Sequence, residues 1–117
     1  MRKLLILLAV LSSPLHAEEA TSAPGGVLRA LDKVSGAAQD IVMLRGQTAH
    51  VGNLDVLMTD CRFPKGNPAG DAYVELEIKT TGRDDKLFSG WMIASSPALS
   101  ALEHPRYDIW AIRCTTS

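Results

Sequence analysis

No stretch of the sequence is long and apolar enough to cross a bilayer as a helix, which takes about 20 residues. The longest apolar run, Leu4–Leu11, has eight. Neither sign of charge dominates: 12 Lys and Arg stand against 13 Asp and Glu, mixed along the chain. Without a basic stripe, nucleic acid is not an expected partner. Cysteine is scarce, with only Cys61 and Cys114. There is no Cys-x-x-Cys, and no histidine stands at metal-ligand spacing from either, which argues against a redox or zinc pair. Cofactor motifs are absent. Ser89-Gly90-Trp91 is not a nucleophile elbow, which needs glycine two residues before and two after the serine.

What is present begins with the N-terminus. Arg2 and Lys3 precede the apolar run, and Ser12-Ser13-Pro14 breaks it before Leu15-His16-Ala17. That order is the signature of a secretory signal peptide. Ala17 supplies the small residue required before the cut, so residues 1–17 are expected to be removed after Ala17 and the chain to reach the periplasm. The run is too short to remain as a membrane anchor, so the cleaved chain is not expected to span the membrane. Removal takes away two basic residues and no acidic ones, leaving 100 residues with a net charge of about −3. That length suits one domain.

In an oxidising compartment, the economical reading of two cysteines is a disulfide, Cys61 to Cys114. It closes a loop worth roughly 4 kcal/mol in the chain-entropy treatment.

Residues 18–26 (EEATSAPGG) are small, polar and rich in breakers, and read as a flexible leader; residues 27–117 read as a single β-rich domain. Short apolar runs between turn residues mark strands at Val27–Val34, Asp40–Leu44, Thr48–Val51 and Leu54–Cys61. Phe63–Gly70 holds two prolines and two glycines and reads as a loop. The clearest strand follows. Ala72, Val74, Leu76 and Ile78 alternate with Tyr73, Glu75, Glu77 and Lys79, the pattern of one buried and one solvated face. Lys86–Ala94 is its expected hairpin partner across the turn at Thr80–Asp85. Ser96-Pro97 reads as the cap and first residue of a short helix, which His104-Pro105 stops. Asp108–Cys114 is the last strand, expected to place Trp110, Ile112 and Cys114 on one face, a tryptophan in the core beside the disulfide. The expected fold is therefore mostly β: a small antiparallel β-barrel or β-sandwich with one short helix and one disulfide.

Candidate chemistry is thin. His50 and His104 belong to no motif, and Ser95 and Ser96 are explained by capping. Glu75 and Glu77 lie on the solvated side of a clean alternation, and Asp84-Asp85 is turn composition without the offsets of a calcium loop. No catalytic set, metal site or cofactor is expected. The segment Phe88–Trp110 stands apart because it carries four of the six aromatics, Phe88, Trp91, Tyr107 and Trp110. It reads either as packed core around the disulfide or as a binding surface, since exposed aromatics and methionine mark interfaces. Trp91, Met92 and Tyr107 are the candidate interface residues.

The stretch RALDKVSG (Arg29–Gly36), the lone Cys61 and above all LFSGWMIASSPALSALEHPRYDIWAIRC (Leu87–Cys114) resemble the bacterial proteins grouped as domain of unknown function 2155. The resemblance covers Val27 to Cys114. It implies an exported protein of alphaproteobacterial type and supplies no activity and no catalytic residues. Through gene context it also implies a small periplasmic domain docked on an inner-membrane complex, with respiratory complex I as the named candidate. The expected function is thus a non-enzymatic periplasmic domain that binds another envelope protein or an inner-membrane complex; the alternative is a glycan or peptidoglycan binding module.

Overall fold

The computed structural model describes residues 19–116. The proposed signal peptide lies outside these residues. Eight strands make up the fold: β1 (Ala20–Ser22), β2 (Gly25–Asp32), β3 (Ala38–Leu44), β4 (Thr48–Val51), β5 (Leu54–Pro64), β6 (Tyr73–Thr80), β7 (Lys86–Ile93) and β8 (Tyr107–Thr115). They form two antiparallel sheets. The larger runs β5-β6-β7, with β1 and β4 sharing the other edge of the long β5; the smaller runs β3-β2-β8. The two sheets pack face to face as a sandwich, with β2 and β8 over β5 and β8 also over β6 and β7. No closed barrel forms among the described residues.

The alternation read from sequence builds the core. Val74, Leu76 and Ile78 on β6 meet Leu54, Val56 and Met58 on β5, and all six are fully buried. From the opposite sheet come Leu28 and Ala30 of β2, Met43 of β3, and Ile109 and Ala111 of β8. Each buried aliphatic side chain of this size contributes about 1.5–3 kcal/mol. Cys61 of β5 and Cys114 of β8 join the two sheets as the expected disulfide, both sulfurs inside the core.

Three expectations are corrected. First, residues 20–26 are not a free leader. β1 pairs with the end of β5, with Thr21 opposite Phe63, and the Ala23 N–H donates to the Cys61 carbonyl at 2.7 Å. Strand pairing needs only backbone groups, so a small polar composition does not prevent it. The glycines that looked like breakers are needed for close approach. A Cβ on Gly26 would sit 2.7 Å from the Cys61 Sγ and 3.1 Å from the Arg113 carbonyl oxygen. The same pairing carries β5 to Pro64, three residues beyond its expected end.

Second, residues 97–102 do not form a helix. They make a turn closed by the Leu99 N–H donating to the Ser96 carbonyl at 3.1 Å. Between Pro97 and Pro105 there is room for barely two turns, and a helix that short does not recover its nucleation cost. Leu102 still reaches the core.

Third, Trp110 and Ile112 do not share a face with Cys114. The β2–β8 register slips by one between Val27 and Leu28, so that Val27 faces Arg113 while Leu28 faces Ala111. Ile112 is the unpaired residue of this bulge. An extra residue reverses the parity of everything after it. Cys114 therefore lies on the side of Tyr107, Ile109 and Ala111, and Trp110 turns to the other face, opposite Arg29.

Candidate functional site: the outer face around Trp91

The segment Phe88–Trp110 forms most of the free side of the sandwich: β7 ends the larger sheet, β8 ends the smaller one, and the turns between them connect the two. Its three candidate interface residues separate. Trp91 is 36 % exposed, whereas Met92 and Tyr107 are 1 % and 8 % exposed and belong to the core. Met92 is the next residue on an edge strand whose alternate side chains point to opposite faces, so it goes inside because Trp91 goes outside. Tyr107 starts β8 on the same inward parity as Ile109 and Ala111. Of the proposed anchors, only Trp91 is available to a partner.

Trp91 lies in a built cluster. On the outer face of the larger sheet, Asp60, Glu75 and Trp91 form one cross-strand row; Arg62, Tyr73 and Ile93 form the next. The Arg62 guanidinium lies 5.6 Å from the centroid of the Trp91 ring, a cation–π arrangement. Arg62 is held there by Asp60: its Nε donates to Oδ2 at 2.8 Å. Asp60 in turn accepts the Cys61 N–H at 2.8 Å and the Ser22 hydroxyl at 3.1 Å on Oδ1, with Arg45 Nη1 at 3.9 Å. Burial pushes the Asp60 carboxyl up. The hydrogen bonds from Arg62, Ser22 and the Cys61 N–H, with the charge of Arg62, outweigh it and hold the carboxyl below its ordinary value. A buried carboxylate beside the disulfide thus fixes the arginine that covers the indole.

Asp60 and Arg62 do not stand out in the sequence. The bulge between Met58 and Asp60 interrupts the alternation of β5, and ending the strand at Cys61 leaves Arg62 outside it. The signal available was that broken alternation at Thr59-Asp60, next to a cysteine.

A second polar cluster joins the two resembling stretches at the start of β8. Arg106 donates to Asp32 through Nε at 3.2 Å and Nη2 at 2.9 Å, and its guanidinium lies 5.4 Å from the Tyr107 ring centroid. The Arg106 hydrogen bond, helped by the Ser35 and Val34 N–H groups, holds the Asp32 carboxyl at about 2. His104, expected only as a helix stop, accepts the Arg106 and Tyr107 N–H groups on Nδ1 at 3.0 and 3.1 Å. The Lys33 ammonium donates to the His104 carbonyl at 2.6 Å. A cleft of about 410 Å³ opens beside this cluster, lined by Ala30, Asp32, Gln39, Gly52, Arg106 and Tyr107. Its two charged groups are already paired with each other, so the cluster is a latch between β2 and β8. Among the described residues no three His, Cys, Asp or Glu side chains converge as a metal site, and no helix is long and apolar enough to cross a membrane.

A profile of the family described as an uncharacterised protein conserved in bacteria, domain of unknown function 2155, matches residues 26–114. The chain belongs to that family. The matched DUF2155 region runs from the second residue of β2 to the disulfide cysteine of β8, and so contains both clusters apart from Ser22. An uncharacterised protein of Rickettsia prowazekii (strain Madrid E) is 29% identical over 103 residues, 86% of this chain; the chain spans 66% of that relative's length, just under two thirds. No solved structure matches the DUF2155 chain.

Proposed function

We propose that this DUF2155 domain is a non-enzymatic periplasmic module that binds another protein through the outer face around Trp91. The observation that carries the reading is the Trp91–Arg62 stack, with Tyr73 and Ile93 in the neighbouring row. Trp, Tyr and Arg are the residues that dominate binding energy at protein interfaces. Here the arginine is already fixed by Asp60, so little side-chain freedom is lost on binding. Support for the compartment comes from the three-part N-terminus and from a disulfide that closes between the only two cysteines. The proposed partner is an inner-membrane assembly, with the domain as an accessory subunit and respiratory complex I as the candidate assembly.

The test is affinity purification of the tagged protein from gently solubilised membranes, with mass spectrometry of what accompanies it. A stoichiometric membrane complex is expected. Trp91→Ala should weaken its capture roughly 30-fold or more while leaving the urea midpoint nearly unchanged. Capture that is indifferent to Trp91→Ala overturns the site. An exposed indole is also a stacking platform for sugars, so retention on purified cell wall with no membrane partner would establish the glycan-binding alternative instead.

A further inference from the structure

We propose that the free edge of β7 pairs antiparallel with the same strand of a second copy, about a two-fold axis at Ser89. The phase of β7 is set at its end, where the Ala94 N–H donates to the Ala72 carbonyl at 2.9 Å. In an antiparallel ladder, alternate residues point their backbone groups to opposite sides. Met92, Gly90 and Phe88 therefore bond to β6, and the N–H and C=O groups of Ser89 and Trp91 point away from it. Among the described residues no strand, loop or side chain meets them.

Natural edge strands are guarded by proline, by charges along the strand or by a covering element. Both edges of the smaller sheet follow this rule: β3 carries Asp40 and β8 carries Asp108 and Arg113. β7, KLFSGWMI, has no proline and no charge after Lys86. It is also self-complementary. With Ser89 on the axis, Leu87 of each copy falls opposite Trp91 of the other. These two side chains are exposed at 38% and 36%. Phe88 falls opposite Gly90, and the bulge at Leu87 turns Lys86 to the outer face beside Glu77, so no like charges oppose each other. Cross-strand aromatic–aliphatic pairs of this kind stabilise sheets. The axis stands perpendicular to the sheet, so both Trp91 clusters end on the same side of one continuous sheet. The pairing uses the backbone edge and does not depend on the partner proposed above.

The test is sedimentation of the protein produced from the full chain over a concentration series reaching roughly 100 μM. The expected result is a weight-average mass that rises towards twice that of one copy. Ser89→Pro removes an N–H that faces away from β6, a position where an edge strand tolerates proline, and should return the mass to one copy. It leaves the Trp91 indole in place, so capture of a membrane partner should survive it, whereas Trp91→Ala tests that capture separately. Ser89→Cys places the only free thiol on the axis, where facing residues lie about 5.5 Å apart, and should give a covalent dimer on mild oxidation. Trp91→Cys should not link to itself, because its two copies lie about 13 Å apart along the strands. One copy at every concentration, a dimer that survives Ser89→Pro, or equal cross-linking through both cysteines would overturn the proposal.

Discussion

β7 and β8 come from one continuous stretch, carry one tryptophan each, and end in different roles. β8 turns Tyr107, Ile109, Ala111 and Cys114 into the core, bonds to β2 along its length and is tied covalently to β5. β7 hides Met92 and part of Phe88, and leaves Leu87, Trp91 and one whole backbone edge to solvent. Composition does not separate the two strands. What separates them is parity, meaning which face each residue inherits from its neighbours, and a bulge that reverses parity at the end of β8. An aromatic-rich segment can therefore be core at one end and surface at the other.

The difference can be broken most severely at the disulfide. Replacing both cysteines by alanine should cost about 2–5 kcal/mol in urea unfolding; a loss under about 1 kcal/mol would mean that β8 is not anchored as described. Next come the neighbours on β7. Met92→Ala should cost about 2–5 kcal/mol as a core truncation, while Trp91→Ala should stay within about 1 kcal/mol. Equal losses would remove the inside–outside distinction within that strand. Gly52 sharpens the β8 side. It has φ +55°, and a Cβ there would collide with the Tyr107 hydroxyl. Gly52→Ala should cost about 1–3 kcal/mol, seen as a lower Tm.

The smallest effect is in acid. The Asp32 carboxyl is held at about 2 by Arg106, below an ordinary aspartate near ~3.9. A depressed carboxylate adds stability that is complete above its unfolded pKa and is lost as pH falls through its folded one. The latch should therefore weaken between about pH 4 and pH 2 and hold above that range. In a carboxyl-carbon titration, Arg106→Gln should move Asp32 back towards its ordinary value.

Much of the sandwich is legible in the sequence. The strict alternation of β6 names its own core face, the turn at Thr80–Asp85 marks the β6–β7 hairpin, and the two cysteines point to the disulfide. The misreadings share a cause. Bulges in β5 and β8 are decided by packing across the sheet and leave little trace in local pattern, so simple alternation hides Asp60 and Arg62 and assigns Trp110 to the core. β1 is held by backbone bonds to a strand about 40 residues away, which composition does not encode. The tryptophan-centred site was half legible: the right segment stood out, but only Trp91 of its three proposed residues faces outward.

The disulfide also determines how the domain carries mechanical load. β2 begins opposite the end of β8, with Gly25 facing Thr115, while the N-terminal strand β1 runs on along the end of β5, with Ala20 opposite Pro64. Tension on the C-terminal end would peel β8 from β2 one residue at a time, the weak direction for a β ladder. Peeling from the C-terminal end meets Cys114 after a single residue, and the pull passes through sulfur to Cys61, whose carbonyl holds Ala23 at the other end. The covalent path from one end to the other runs through β1–β5 and the disulfide, so β6, β7 and nearly all of β8 lie outside it. A pull on the two ends would therefore bear on β1–β5 and spare β7, the strand that carries Trp91.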